Sequence, residues 1–382
     1  MIKSDYIIAG AGASGLLLAY RMANDPFFRD KSIIIIDKIK DKKNDRTWCF
    51  WEKGNGEWED IIYKDWKTVY FGSDYHSEQI NIAPYTYKMI RSASFYKKLW
   101  QIIDKTPNIS FLQAEVLRIK TIENKALVTT DSEILEASKV FNSSILTNYY
   151  KTQTQYPVLQ QHFIGWFIKT ETPQFDDTFA TFMDFKIPQN GNTRFMYVLP
   201  TSKTEALFEY TLFSKDILEK KDYENGIKKY LQNKGIENYS ITETETGAIP
   251  MTCYEFSKQN SQHILNIGTA GGWTKASTGY TFMNTAKKTK ALVEFLKFET
   301  DVSKFYKRNK FWYYDVLMLD VLSQDNAYGS KLFSSLFKKA KITTIFRFLD
   351  EKTHVLEDLK ILTAVPSWRF TKTLLRRLLK MN

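Results

Sequence analysis

The sequence predicts an α/β fold built on a parallel sheet, which is interrupted by a second sheet and followed by a helical region. Three observations support this prediction. A glycine-rich turn joins an apolar strand to a helix near the start, and a second glycine-rich segment follows about 250 residues later. Between them, polar and apolar residues alternate as they do in strands. The first sheet is therefore expected to be discontinuous in sequence.

The first glycine-rich segment has the local context of a phosphate-binding turn. Asp5 to Ala9 is a short apolar run typical of a buried parallel strand, and Leu16 to Tyr20 continues as a helix. Gly10 permits the tight turn, Gly12 lets a pyrophosphate approach the backbone, and Gly15 allows the helix to pack closely on the strand. Phosphates would lie at the helix N-terminus, where free amides and the helix dipole favour anions.

A second strand follows, from Ser32 to Ile36, and it ends in Asp37. This carboxylate comes twenty-two residues after Gly15, where an acidic side chain can accept hydrogen bonds from a ribose diol. A glycine-rich turn without a ligand would need none of these neighbours. Strand, glycines, helix, strand and acid in this order therefore predict a Rossmann-type half that binds a dinucleotide.

Length and composition fit a globular protein with a large core. With 382 residues, two or three subdomains are expected. The 27 Phe, 22 Tyr and 9 Trp suit either a large apolar pocket or an aromatic-rich core. Neither the two cysteines nor the four scattered histidines have metal-ligand spacing, and no metal is expected. No apolar run reaches the ~18 residues of a spanning helix.

The predicted elements define the organisation of the chain. A helix is expected over Met89 to Ile103, and extended segments over Ile109 to Ile122 and Ala126 to Phe141. Strand alternation runs from Gln161 to Phe213 and predicts one wall of a substrate pocket. We expect a discontinuous cofactor domain (1–150 and 245–298), an inserted substrate-binding sheet region (151–244) and a helical C-terminal region (299–382).

The C-terminal segment is basic and amphipathic. The net charge is +11, and from Pro366 onward the chain has five basic and no acidic side chains. Apolar residues at i, i+4 spacing form a stripe beside the basic face; they are Trp368, Phe370, Leu374, Leu375, Leu378 and Leu379. Such a helix can lie on an anionic membrane surface, or it can pack on the protein with its charges in water. No nucleic-acid module accompanies the charge, so nucleic acid is not expected as a partner.

The second glycine-rich segment runs from Ile267 to Tyr280. Its layout resembles the late flavin motif of aromatic-hydroxylase-type flavoproteins. Thr269 stands where that group has a ribityl-binding Asp, and Gly272 stands where it often has His. Thr278-Gly279-Tyr280 instead resembles the late motif of lycopene cyclases, although Ala276 replaces the Pro usual in that family.

Further segments resemble the lycopene cyclase family along nearly the whole chain. Asp45 to Trp51 is similar to its early signature, and segments at Gln161 to Trp166, Phe175-Asp176 and Met183 to Phe185 are similar to its middle block. The remaining matches are Tyr197 to Pro200, Gly247 to Met251 and Phe346 to Asp350. Singly, each could be an aromatic strand in a core. Their order and spacing together identify the chain as a member of the bacterial beta-cyclase group of this family.

Glu209 is the predicted catalytic residue. From its strand alone, it is either an outward, solvated acid or an inward acid whose pKa is raised by desolvation. The resemblance favours the second alternative, because Leu207 to Thr211 matches the family segment whose first acid is held to transfer a proton. The family commonly has a second acid at the next position, where this chain has Tyr210. Any role of that second acid cannot be transferred here.

The resemblance implies an isomerisation of lycopene or a related acyclic carotene without net redox change. A terminal double bond would be protonated by an acid in a dry pocket, a ring would close, and a proton would be lost to give a beta-ionone end. The resemblance also implies reduced FAD, generated by NAD(P)H, as an electrostatic partner that is not consumed. The expected location is cytoplasmic and peripheral, on the inner face of the cytoplasmic membrane.

Cofactor contacts are predicted in three groups. The early turn and the second strand contribute the first group, the late loop the second, and two arginines the third. Arg91 opens the helix expected at Met89, and either arginine could equally form a surface ion pair. The predicted contacts are Gly10, Ala11, Gly12, Ala13, Ser14, Gly15, Asp37, Lys38, Arg46, Arg91, Gly268, Thr269, Gly279 and Tyr280.

Two other functions fit the same fold. A flavin monooxygenase would consume NAD(P)H and oxygen in proportion to product, and Thr269 and Glu209 argue against it. A non-catalytic carotenoid- or lipid-binding flavoprotein would need neither flavin reduction nor Glu209.

Overall fold

The computed structural model describes residues 1–380, and the last two residues of the predicted helical region lie outside this range. The chain forms two compact units. The first unit comprises Met1–Trp48, Arg91–Gln155 and Cys253–Trp312. The second comprises Cys49–Ile90, Tyr156–Thr252 and the chain from Tyr313 onward. Each unit is therefore assembled from three separate stretches of sequence.

The described residues form seventeen strands and ten α-helices. The strands are β1 (Ile2–Ala9), β2 (Ile33–Asp37), β3 (Thr47–Lys53), β4 (Ile62–Trp66), β5 (Thr68–Gly72), β6 (Ser77–Asn81), β7 (Tyr85–Arg91), β8 (Ile109–Gln113), β9 (Val116–Ile122), β10 (Lys125–Thr130), β11 (Ile134–Asn142), β12 (Leu159–Lys169), β13 (Phe179–Asp184), β14 (Thr193–Pro200), β15 (Glu205–Ser214), β16 (Ser240–Met251) and β17 (Ile264–Asn266). The helices are α1 (Ala13–Ala23), α2 (Ser92–Ile103), α3 (Tyr149–Thr152), α4 (Lys220–Asn233), α5 (Phe282–Leu296), α6 (Lys310–Gln324), α7 (Gly329–Lys339), α8 (Ile342–Leu349), α9 (Val355–Ala364) and α10 (Ser367–Lys380).

The first unit is built on a mixed sheet whose central strands are parallel. The order is β8-β2-β1-β11-β10-β9, and β17 pairs with β11 beside this path. The pairs β8–β2, β2–β1, β1–β11 and β11–β17 are parallel, whereas β9 and β10 form an antiparallel extension. Near-continuous apolar runs such as Ile33 to Ile36 are typical of strands covered on both faces. Helix α1 follows β1 and packs against α2 and α5.

The second unit contains a seven-stranded sheet in the order β16-β12-β15-β14-β13-β5-β6. A smaller sheet has the order β3-β7-β4. Alternate residues of β12 and β15, among them Trp166 and Phe208, pack with α4 residues such as Tyr223 and Ile227 in one core. Because side chains alternate along a strand, the intervening residues of β12 and β15 occupy the opposite face of the sheet.

The C-terminal part of the chain is helical, as predicted. Helix α10 is amphipathic, and Arg369 and Arg377 pair with acidic residues at the end of α6 and just after it. Arg377 forms a two-point ion pair with Asp320, one contact being 2.8 Å, and Arg369 pairs with Asp325 at 2.5 Å. The apolar stripe is directed outward, with Leu375 55% and Leu379 77% exposed. Between residues 1 and 380, no helix is both long and apolar enough to cross a membrane.

The structure corrects three predicted elements. The helix expected from Met89 begins at Ser92, because Met89 and Ile90 pair with β4 as the end of β7. The single extended segment expected over 109–122 is two strands, of which β8 pairs with β2 and β9 with β10. The segment expected over 126–141 is also two strands, β10 and β11, which pair with each other. The short strands β3 to β7 were not predicted from the sequence.

Candidate functional site

The early glycine turn has the geometry of a phosphate-binding site. Gly10 has φ of +104°, and a β-carbon on it would lie 2.2 Å from Ser143 Oγ. A β-carbon on Gly15 would lie 1.9 Å from the carbonyl oxygen of Gly10, so only glycine lets α1 approach the turn this closely. The space beside Gly12 is open, with no atom within 4 Å of the position of a β-carbon. Glycines 10 and 15 therefore shape the turn, and Gly12 leaves room in front of it.

The first turn of α1 lies behind this open space. Gly12 is the N-cap of α1, and no side chain caps the helix. The amides at the start of the helix thus lack a side-chain acceptor at the point where Gly12 leaves room. Such an end is suited to a phosphate, because free N–H groups and the helix dipole both favour negative charge.

Asp37 lies at the end of β2 and holds the glycine turn. Its Oδ2 accepts a hydrogen bond from the Ala11 amide at 2.6 Å and contacts Lys42 Nζ at 2.9 Å. Lys42 also donates to the Ala11 carbonyl at 3.0 Å. The other oxygen, Oδ1, accepts from the Ile39 amide at 3.1 Å. A carboxylate has about four acceptor positions, so Oδ1 keeps capacity for a ribose hydroxyl. Lys42 was not predicted, because it lies in a run rich in Lys and Asp without a distinctive pattern.

Lys38 lies beside Asp37 on the surface. Its Nζ is 2.7 Å from Glu115 Oε1, and its side chain is 62% exposed. This contact is an exposed ion pair, and the predicted role of Lys38 in cofactor binding stays a prediction.

The late glycine segment packs against the early one. Gly268 has φ of +59°, and a β-carbon on it would lie 2.3 Å from Ser14 Oγ. Residues 268–271 form a short 3₁₀ turn that directly follows β17. The two predicted halves of the cofactor site therefore meet in the first unit, at the start of α1.

The rest of the late loop is a closed turn. The Lys275 amide donates to the Tyr280 carbonyl at 2.9 Å, and the Gly279 amide donates to the Lys275 carbonyl at 2.8 Å. Gly279 has φ of +75°, a conformation that side chains rarely adopt. Thr269 Oγ1 lies 3.5 Å from Thr274 Oγ1, which lies 3.0 Å from Thr281 Oγ1. These three hydroxyls connect the start of the segment with the residue that follows its end.

Arg46 and Arg91 lie at the start of α2. Arg91 is the N-cap residue and is buried, with 8% of its surface exposed. The Ser92 amide donates to the Arg46 carbonyl at 3.0 Å, and the Arg46 amide donates to Ser92 Oγ at 3.1 Å. The structure thus brings both predicted arginines to one helix N-terminus. Their contact with a cofactor stays a prediction.

In the second unit, Glu209 lies on the face of the large sheet opposite α4. It is 8% exposed and forms a hydrogen bond with Glu245, which is also 8% exposed. Burial, and then the charge of Glu245, raise the pKa of Glu209 well above its ordinary value. Of the two alternatives left by the sequence, the structure thus has the inward, desolvated acid. Glu245 was missed, because Glu243 and Glu245 alternate along β16 as solvated residues do.

A thiol and two phenols complete this polar group. The hydroxyls of Tyr87 and Tyr197 are 2.6 Å apart. Cys49 forms hydrogen bonds with both tyrosines, and burial together with the charges of Glu209 and Glu245 raises its pKa to about 12. Cys49 is therefore a neutral thiol at physiological pH. Besides the Glu245 carboxyl, Glu209 therefore has neighbouring groups that are polar but uncharged.

Tyr210 lies on the other face of β15. Its hydroxyl accepts a hydrogen bond from Arg194 at 3.1 Å, and its ring packs on Gly226 of α4. Consecutive strand residues point to opposite faces, so Tyr210 cannot assist Glu209 directly. Tyr210 belongs instead to the hydrophobic core between the sheet and α4.

Comparisons with solved structures establish the fold. A geranylgeranyl bacteriochlorophyll reductase-like protein from Thermoplasma acidophilum aligns with a TM-score of 0.69 and 13% identity over 97% of this chain and 98% of its own. The flavin-dependent brominase Bmp2 aligns with a TM-score of 0.55 and 14% identity over 100% of both chains. The p-nitrophenol 4-monooxygenase PnpA from Pseudomonas putida DLL-E4 aligns with a TM-score of 0.55 and 13% identity, over 95% and 96%. The predicted fold class is confirmed.

Sequence comparison gives the family. A search of curated proteins found no match. The family model described as lycopene cyclase protein matches residues 5–375, which is nearly the whole chain. Both glycine segments and the Glu209–Glu245 pair fall inside this match, and the chain belongs to the lycopene cyclase protein family.

Proposed function

We propose that this protein is a lycopene beta-cyclase, which closes the acyclic ends of lycopene into beta-ionone rings and so forms gamma-carotene and beta-carotene. The observation that carries the proposal is the buried Glu209, whose pKa is raised by burial and by Glu245. A hydrocarbon substrate offers no polar group, so its reaction must begin with a proton from an acid that stays protonated near neutral pH. The raised pKa of Glu209 suits this role.

Glu209 supplies the proton in the first step. Its O–H bond breaks and a C–H bond forms at the terminal double bond of the substrate, which leaves a tertiary carbocation. The electron pair of a neighbouring double bond then closes the six-membered ring and moves the positive charge onto a ring carbon. Loss of a proton from the adjacent carbon forms the ring double bond. One proton enters and one leaves, so the product is an isomer of the substrate.

The residues of the first unit suit FAD. The open space at Gly12, the uncapped start of α1 and Asp37 at the end of β2 would hold the pyrophosphate and the adenosine ribose. Gly268, Thr269, Gly279 and Tyr280 would contact the remainder of the cofactor. We propose that FAD acts in its reduced form, with NAD(P)H as the reductant, and that its negative charge stabilises the cation.

An anaerobic assay tests this function. Protein, lycopene, FAD and NADPH are combined in detergent or liposomes, and the carotenes are separated by chromatography. Wild type is expected to form beta-carotene, and Glu209→Gln is expected to lose at least about 100-fold in rate, as is typical when an acid catalyst is removed. Glu205→Gln is the matched control, because Glu205 lies on the same strand in an exposed ion pair with Lys169.

The assay also distinguishes the competing functions. A monooxygenase would form product only with oxygen and would oxidise NADPH in proportion to it. A carotenoid-binding protein would leave lycopene unchanged. Equal rates of beta-carotene formation in wild type and Glu209→Gln would refute the role of Glu209.

We further propose that α10 associates with the inner face of the cytoplasmic membrane. Helix α9 also carries exposed apolar residues, with Val355 66% and Leu356 67% exposed. A helix with such a face can lie in the headgroup region. Sedimentation with liposomes is expected to weaken in the double variant Leu375→Ser/Leu379→Ser. The control is Leu117→Ser, at a leucine of β9 that is 55% exposed. Equal sedimentation of all three proteins would contradict this role.

A further inference from the structure

Gly165 lies between two acidic residues in one row across the large sheet of the second unit. On β12 it is in direct register with Glu209 of β15 on one side and with Glu245 of β16 on the other. Residues in register on adjacent antiparallel strands share a face of the sheet. Glu209 and Glu245 therefore project on the same side, one strand to either side of Gly165.

The missing side chain at Gly165 allows the two acids to meet. Neighbouring strands are about 4.8 Å apart, so β15 and β16 are separated by about 10 Å. A β-carbon on Gly165 would lie 2.9 Å from Glu209 Cγ and 3.2 Å from Glu245 Cγ. Both glutamate side chains thus lean over the glycine. Any larger residue would occupy the space in which their carboxyl groups approach.

A hydrogen bond between two carboxyl groups requires a proton. Ionised carboxylates only accept hydrogen bonds, so one member must be the acid when Glu209 and Glu245 are bonded. Like charges this close and this buried cannot both be ionised without a large cost. The Cys49 thiol and the Tyr197 and Tyr87 phenols also lie at this place, and the pKa of both Cys49 and Tyr197 is raised by burial. None of these groups supplies a compensating positive charge.

We propose that Glu209 and Glu245 hold a single proton between them, and that Glu245 is a positioning residue that keeps Glu209 in its acid form. This inference rests on the proposed cyclase function and adds a second acid to it. Donation of the proton to the substrate leaves two adjacent carboxylates. Their repulsion favours recapture of a proton by the pair, and the proton lost after ring closure balances the one that was donated.

Infrared spectroscopy tests the pair without relying on catalysis. A protonated carboxyl has a carbonyl stretch that shifts in D₂O. Wild type is expected to show this band at pH 7, where an exposed glutamate with a pKa of about 4.3 is ionised. In Glu209→Gln any remaining band should come from Glu245 alone and should titrate at lower pH than the wild-type band, because the negative neighbour is gone. In Glu245→Gln the Glu209 band should persist at low pH but titrate roughly one pH unit or more lower, because the negative neighbour is gone.

Two further variants complete the test. Glu243→Gln alters another glutamate of β16 and should keep the wild-type pH midpoint of the infrared band. Glu245→Asp keeps the carboxylate charge and should restore part of the upward shift of this midpoint. The alkaline limb of the cyclisation rate should move with the infrared midpoint, while thermal unfolding verifies that each variant is folded.

The possible outcomes distinguish a failure of the shared proton from a failure of the proposed cyclase function. An unchanged midpoint in Glu245→Gln, or no band in wild type at pH 7, would overturn the shared proton. If the bands behave as expected but wild type forms no beta-carotene, the pair is supported and the cyclase function fails instead.

Discussion

Ser14 and Gly268 are packed so closely that the side chain of one occupies the position of a β-carbon on the other. The distance from Ser14 Oγ to that position is 2.3 Å. Ser14 belongs to the first turn of α1, and Gly268 directly follows β17, more than 250 residues later. This contact brings the two glycine segments together in the first unit. It also makes Gly268 a structural requirement, whereas Gly12 has open space beside it.

Alanine at these two glycines is expected to separate folding from cofactor binding. Gly268→Ala should lower the free energy of unfolding of the apoprotein by about 1–3 kcal/mol, because φ is positive and Ser14 must move. Gly12→Ala should change it by less than about 1 kcal/mol but abolish FAD binding, because its methyl group occupies the phosphate space. Urea unfolding and flavin fluorescence titration measure the two effects. Normal FAD binding by Gly12→Ala would contradict the proposed cofactor position.

The raised pKa of Glu209 predicts that stability falls as pH rises. Above the ordinary glutamate pKa, the folded state keeps a proton that the unfolded state has released, so unfolding becomes more favourable with pH. The slope cannot exceed about 1.4 kcal/mol per pH unit for one proton. Glu209→Gln should be more stable than wild type at pH 7, and the difference should vanish near pH 4. Parallel stability curves for the two proteins would contradict the raised pKa.

The lowered pKa of His162 predicts that stability falls as pH decreases, which is opposite to the dependence predicted for Glu209. His162 is 1% exposed, contacts Ser214 Oγ through Nε2 at 2.7 Å, and its pKa is lowered by burial to about 4. Between pH 6.5 and 4 the unfolded state binds a proton that the folded state does not, so stability is lost as pH falls through this window. The loss should reach about 3 kcal/mol. His162→Gln should lack this component in denaturant titrations, and an unchanged acid slope would disprove the assignment.

The ion pair between Arg377 and Asp320 predicts how α10 is held. Arg377→Ala should weaken docking of the helix by about 1 kcal/mol and speed proteolytic cleavage within it. The matched control is Arg376→Ala, because Arg376 bonds the neutral Gln324 at 2.8 Å. Limited proteolysis followed by mass spectrometry locates the cleavage. Equal cleavage of the two variants would show that the charge pair does not hold the helix.

Local sequence signals predicted the first sheet well. The glycine turn, Asp37 and the apolar run of β2 each depend on neighbouring residues, and the structure has them where expected. Strands β4 and β6 are short and partly exposed, so their pairing with distant strands left no clear periodicity. Strand β7 is buried along almost its whole length, so Met89 to Arg91 show no alternation of polar and apolar residues and read as the start of a helix.

The partner of Glu209 was beyond prediction because it depends on strand order. Glu245 comes into reach only when β16 pairs with β12 and Gly165 lies between. Nothing near Glu245 in the sequence distinguishes it from Glu243. The amphipathic pattern of α10 was predicted, but the pattern alone did not determine which face would turn inward.

The paired arginines of α10 determine how the protein should respond to ionic strength. Arg369 and Arg377 are paired with Asp325 and Asp320, so these two positive charges of the helix are neutralised within the protein. The outward face consists largely of leucine and tryptophan side chains, whose transfer out of water is not screened by salt. Association through this face should therefore persist at salt concentrations that release proteins bound by charge alone. Membranes of neutral lipid should still bind the protein, and the charges of Lys372 and Arg376 should add affinity for anionic lipid.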